Sequence, residues 1–181
     1  DIPAGSWTID PSHSEVGFSV RHLMVSKVKG TFETFSGAIE IADDPLASSV
    51  TAAVDLSSIN TRDAQRDGHL RSADFFEVET HPELTFASTA VEPSGDGYRV
   101  TGDLSIKGTT KPVVLDLEFH GVHPDPWGGT RAGFSASTAI SRKEFGVDFQ
   151  IPMDGGGVVV GDKVEITLEI QAVLAESLVD A

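Results

Sequence analysis

The chain has 181 residues, 39% of them hydrophobic, which is enough for one substantial core, and all-β barrels commonly reach this length as a single domain. With no cysteine and a formal charge of −15, it has no disulfide framework, thiolate metal site or cysteine nucleophile, and it repels nucleic acid and anionic membrane surfaces. No stretch approaches the roughly 18 apolar residues that cross a bilayer, so residues 1–181 are read as one domain without stable membrane insertion.

Period-2 alternation dominates, the mark of strands with one buried and one solvated face. Val16, Phe18 and Val20 alternate with Gly17, Ser19 and Arg21. Val28 and Phe32 lie on one parity and Phe35, Ile39 and Ile41 on the other, so the slip between Phe32 and Phe35 predicts a bulge or sharp bend in a long strand. Val50, Ala52, Val54 and Leu56 continue the pattern. The polar stretch Asn60–Ser72 breaks it: Asn60 or Thr61 is placed to cap a short surface helix, and Asp67 lies four residues before Arg71, the spacing of a helical ion pair. Phe75 and Phe76 follow, placed to pin that helix over an opening of the barrel.

Leu84 and Phe86 resume the alternation. Tyr98, Val100, Leu104 and Ile106, then Val113, Leu115, Leu117 and Phe119, read as a hairpin through Gly108. Phe134, Ala136, Thr138 and Ile140, and finally Val164, Ile166, Leu168 and Ile170, complete about eight strands, with turns at Asp43–Pro45, Pro93–Gly97, His123–Gly129 and Gly155–Gly157. Strands of about ten to twelve residues, roughly 35 Å, favour a tall barrel over a small sandwich. Its inward face is Phe, Val, Leu and Ile with small residues such as Ala52 and Ala136, a composition that suits a filled core and a ligand pocket equally.

The polar candidates are weaker. His120, His123 and Asp125 lack the third or fourth convergent ligand that a metal site needs, so neither metal nor cofactor is expected. His69 and His81 flank the insertion and suit local hydrogen bonds. His13 and Ser14 are strand neighbours whose side chains point to opposite faces, which disfavours direct proton transfer. Nucleophile-elbow, phosphate-loop and dinucleotide fingerprints are missing.

An ordered set of residues nevertheless carries a likeness over nearly the whole chain. It comprises Trp7, Ile9, Asp10, His13, Ser14 and Phe18; Gly30, Phe32, Phe35 and Gly37; Thr61, His69, Leu70, Ser72, Phe75 and Phe76; Pro82 and Phe86; Gly102, Leu104, Ile106, Gly108, Thr110, Lys111 and Pro112; and Arg142, Phe145 and Gly146. In this the chain resembles the YceI-like family of polyisoprenoid-binding, lipocalin-like proteins. The resemblance implies an all-β fold, an extended eight-stranded antiparallel lipocalin-like barrel with a short helical insertion. It also implies a hollow interior that binds an isoprenoid or similar long-chain lipid for carriage, storage or sequestration, and not an enzyme.

On that reading the tail lies along the axis against Phe18, Val20, Phe32, Phe35, Val54, Phe86, Val100, Leu104, Leu115, Leu117, Phe134, Ile140, Ile166 and Leu168. The polar head sits at the mouth near Arg142, Lys143, His69, Phe75 and Phe76, unless Arg142 pairs with Glu144 or Asp148 instead. The alternatives are an enzyme using His13 or His69 on a lipid-like substrate, and a filled barrel serving as an interaction module. A homodimer through an exposed strand or loop is compatible with the pattern. Many relatives in the family are exported; without a basic and apolar leader this chain is expected in the cytoplasm, or in the periplasm or outside if a leader is removed.

Overall fold

The computed structural model describes residues 2–23, 25–150 and 160–175; the expected turn at Gly155–Gly157 lies outside them. Eleven strand segments and one helix follow in chain order: β1 (Gly5–Ile9), β2 (Glu15–His22), β3 (Ser26–Phe32), β4 (Phe35–Ile41), β5 (Ser49–Asp55), β6 (Ile59–Asn60), α1 (Ala64–Arg71), β7 (Glu83–Ser94), β8 (Gly97–Ile106), β9 (Thr109–Pro124), β10 (Thr130–Ser141) and β11 (Val160–Leu174). All pairings are antiparallel, and the ring β1-β4-β5-β7-β8-β9-β10-β11 closes through β1 against β11.

Three of the eight staves are broken. Beyond a 3₁₀ turn at Pro11–His13, β2 continues the line of β1 along β11; β3 runs into β4, and β5 into β6. The parity slip between Phe32 and Phe35 is the bend between β3 and β4. Its backbone amides leave the ladder, and Ser58 supplies their acceptors: Glu33 N–H donates to the Ser58 carbonyl at 3.2 Å and Thr34 N–H to its hydroxyl at 3.0 Å. The chain is thus a closed eight-stranded barrel, with bends where the alternation changes phase.

Several strands outrun their expected length: β9 has 16 residues, about 54 Å at about 3.4 Å per residue. Expected turn residues belong to strands instead. Pro93 lies in β7 opposite Tyr98, past the last β5 partner, where no ladder needs its missing N–H. Lys107 and Gly108, with φ of 51° and 81°, make the two-residue turn that matches the strand twist.

The helix is capped by Asp63, whose carboxylate accepts from Arg66 N–H at 3.1 Å, in place of the expected Asn60 or Thr61. Asn60 ends β6 and donates to Glu33, while Thr61 donates its N–H and hydroxyl to Asp67 at 2.9 and 2.5 Å. Asp67 is buried at this corner, and Arg71 reaches the Ser57 carbonyl, so the expected ion pair between them gives way to two backbone ties. Leu70, Phe75 and Phe76 pack with Phe86, Leu104, Ile106, Phe145 and Val147, which fills one end of the barrel. Toward the other end Trp7, fully buried, packs with Ala132, Phe134 and Ala172 and donates its indole N–H to the Pro3 carbonyl.

Candidate functional site

Beyond the end filled by the insertion the barrel is hollow, with a cavity of about 590 Å³. Its wall is the inward parity of the staves: Val16 and Phe18 from β2, Val50, Ala52 and Val54 from β5, Leu84, Phe86 and Val91 from β7, and their equivalents around the ring. Two strand glycines help keep the lumen open. A Cβ at Gly30 would collide with the Phe18 ring, and one at Gly102 with the Phe86 ring, so both rings lie flat in notches of the wall. Phe18 then meets Phe32 at a centroid distance of 5.4 Å, and across the barrel Phe119 meets Phe134 at 5.4 Å.

Of the residues expected from the sequence, Phe18, Phe32, Phe35, Val54, Phe86, Val100, Leu104, Leu115, Leu117, Phe134, Ile166 and Leu168 line this cavity. Val20, Ile140, Phe75, Phe76 and Arg142 do not. Val20 and Ile140 both stand in register with Val164, one step beyond the last lining residues Phe18, Thr138 and Ile166. Phe75 and Phe76 belong to the packed end, where Phe76 meets Phe32 edge-on at 6.3 Å and Phe75 lies among Phe86, Phe145 and Val147. Their rings help to fill that end of the barrel.

Arg142 is the largest correction. Only 5% exposed, its guanidinium donates to the carbonyls of Gly161 (2.8 Å), Val147 (2.7 Å), Phe149 (2.9 Å) and Val160 (3.2 Å). It ties the turn after β10 to the start of β11, and it makes neither of the expected ion pairs, with Glu144 or with Asp148. Burial pulls its pKa below the ordinary value, against the opposing pull of Asp162 and Asp148. Lys111, on the inward parity of Val113, likewise stands beyond the cavity wall.

Of the two histidines expected to hold local bonds, His69 does so, bonding to Asp74 at 2.8 Å while stacking edge-on with Phe75 and Phe149, whereas the His81 ring stands 4.0 Å from the Glu77 carboxylate, beyond hydrogen-bond reach; His13 bonds to Asp10 at 2.9 Å on the surface. Neither His13 nor His69 lines the cavity. His120 bonds to Ser135, and among the described residues no group of three or more His, Asp or Glu is placed to hold a metal ion.

The sequence reading missed the rim. Asp43, Pro45 and Ser48, from the connection between β4 and β5, and Ser49 at the start of β5 complete the wall, and several of them are exposed, so the cavity reaches solvent there. That connection is pinned by Ala42 N–H donating to Ser48 Oγ at 3.0 Å and Val50 N–H to Ser88 Oγ at 2.9 Å. Further apolar wall residues, Ile9, Ile39, Ile41, Phe119 and Ile170 among them, carry the same alternation and were legible in principle. The rim was not, because a connection's fold against a neighbouring strand leaves no periodic signal.

The YceI-like domain family matches residues 7–172. The UPF0312 protein of Photorhabdus laumondii is 43% identical over 145 residues, 78% of this chain and 76% of that protein. The solved YCEI protein of Campylobacter jejuni is similar at TM-score 0.74 and 31% identity, covering 92% of this chain and 96% of that one. A polyisoprenoid binding domain from Saccharophagus degradans, implicated in plant cell wall breakdown, shares the fold at TM-score 0.71 and 16% identity, covering 93% and 98%.

Proposed function

The chain belongs to the YceI-like family, and we propose that its cavity binds the tail of an isoprenoid or similar long-chain lipid, for carriage, storage or sequestration. One observation carries this reading: residue types that would fill an ordinary core here surround about 590 Å³ of unfilled apolar space. At about 30 Å³ for each water-sized group, that space takes about twenty carbon atoms. Burying about 400 Å² of such a tail at about 25 cal/mol per Å² yields about 10 kcal/mol before ordering costs, enough for tight binding with no charged contact. The polyisoprenoid binding domain of the same fold supports the choice of ligand class.

The protein acts by holding its ligand rather than turning it over. The titratable groups of the wall are Asp43 on the rim and Tyr98 on β8, and the two histidines that an enzyme reading would use lie outside the cavity. Mass spectrometry of an organic extract from purified, heat-denatured protein tests the proposal. A stoichiometric long-chain lipid is expected; an empty extract, followed by failure to bind added polyprenyl compounds, would overturn it.

A further inference from the structure

Building on the proposed lipid-tail binding, we infer that the ligand's polar end is uncharged, an alcohol or carbonyl, and that the site discriminates against phosphate and carboxylate heads. The juxtaposition behind this is an apolar cavity whose one charged wall residue, among the described residues, is the carboxylate Asp43.

No lysine, arginine or histidine lines the cavity, and residues 1, 24, 151–159 and 176–181 contain none in the sequence. The polar side chains of the wall are Tyr98 and Thr138 on the inward parity and Ser48 on the rim, whose hydroxyls suit a neutral donor or acceptor. An anion drawn into such a site loses its water and gains no counter-charge.

A head left protruding fares no better. At the rim it meets Asp43 and Asp44, with Glu40 on the adjoining strand. The barrel is strongly polarised. Apart from Arg99 and Arg131, every lysine and arginine belongs to the β2–β3 hairpin, the insertion, the β8–β9 hairpin, the Arg142–Phe145 turn or the start of β11, all toward the packed end. The two exceptions have carboxylate neighbours of their own. Arg131 bonds to Asp10 at 2.8 Å and Asp125 at 3.2 Å, and Arg99 stands in cross-strand register between Glu92 and Asp116. The cation that the sequence offered for an anionic head, Arg142, is sealed by four backbone carbonyls.

The test is calorimetric titration of the protein with geranylgeraniol and with geranylgeranyl monophosphate, which have the same tail, each below its micelle concentration. The alcohol is expected to bind more tightly by about tenfold or more at low salt, with the gap shrinking as salt rises. Asp43→Asn should narrow the gap and Asp43→Lys should narrow it further. Equal or tighter binding of the monophosphate overturns the inference while leaving the lipid-tail reading intact. Failure of both compounds to bind overturns the lipid-tail reading and the inference with it. A gap unchanged in both Asp43 variants overturns the assignment of the discrimination to the rim.

Discussion

The packed end and the hollow middle of this barrel are built from the same staves and the same residue types, yet one is solid and the other empty. On β8, Leu104 stands at the boundary, lining the cavity and touching the solid core, while Ile106, two residues on, belongs to the solid core alone; on β10 the change falls between Thr138 and Ile140. Nothing in the alternation changes at those points. What changes is the supply of side chains from outside the ring: the insertion contributes Leu70, Phe75 and Phe76, and the turn after β10 contributes Phe145 and Val147. In the middle no such element enters among the described residues, and Gly30 and Gly102 let large rings recede into the wall. A barrel interior is therefore filled by what its connections deliver as much as by its strands.

Truncations should separate the two regions most sharply. Phe75→Ala removes a ring packed on all sides at the solid end, and should cost about 3–5 kcal/mol of unfolding free energy, read as a lower urea midpoint. Leu115→Ala removes a side chain that faces the cavity and has fewer partners to lose, so about 1–2 kcal/mol is expected, together with weaker binding of a prenyl tail. Similar stability losses for both would mean that the middle is as solid as the end.

Arg142 belongs to the solid end by the same logic. Arg142→Met leaves four carbonyl acceptors without their donor and should cost about 3 kcal/mol in urea unfolding. Arg142→Lys, with one ammonium against carbonyls spread over two segments, should recover only part of the loss. In Arg142→Lys protein that remains folded, the ratio of affinities for prenyl alcohol and prenyl phosphate should be unchanged. A shift in that ratio would place the guanidinium at the head group after all.

The fold was largely legible because burying one face of a strand writes period 2 into the chain, and a bend writes a phase slip; Phe32 and Phe35 mark theirs to within the two residues that turn. Legibility stopped where partners are backbone or distant. Asn60 and Thr61 are as plausible as caps as Asp63, and only the ties of Asn60 to Glu33 and of Thr61 to Asp67 remove them from competition. Arg142 resembled a free cation because its four acceptors are carbonyls gathered by the fold from two segments, Val147 and Phe149 in one and Val160 and Gly161 in the other, which no side-chain pattern announces. The lining was readable as a parity, but where along that parity the lumen begins and ends was not, and this is why Val20 and Ile140 were expected in it.

The smallest expected effect tests whether the cations of the open half are structural. Arg131 joins Asp10, in the turn between β1 and β2, to Asp125, beyond β9. The Arg131 hydrogen bond first, then those of Ser12 and His13, hold the Asp10 carboxyl well below the usual carboxylate range against the opposing effect of burial. A carboxyl whose pKa falls on folding stabilises the native state above its unfolded value, near 4, and loses that contribution as pH drops through and below that value. Asp10→Asn should therefore cost about 1 kcal/mol at pH 7, and the difference from the parent protein should shrink steadily below about pH 4. If instead the two proteins were equally stable at pH 7, Arg131 would be a cation with no structural commitment. It would then be free to answer an anionic ligand, and the asymmetry between the two halves of the barrel would lose one of its two supports.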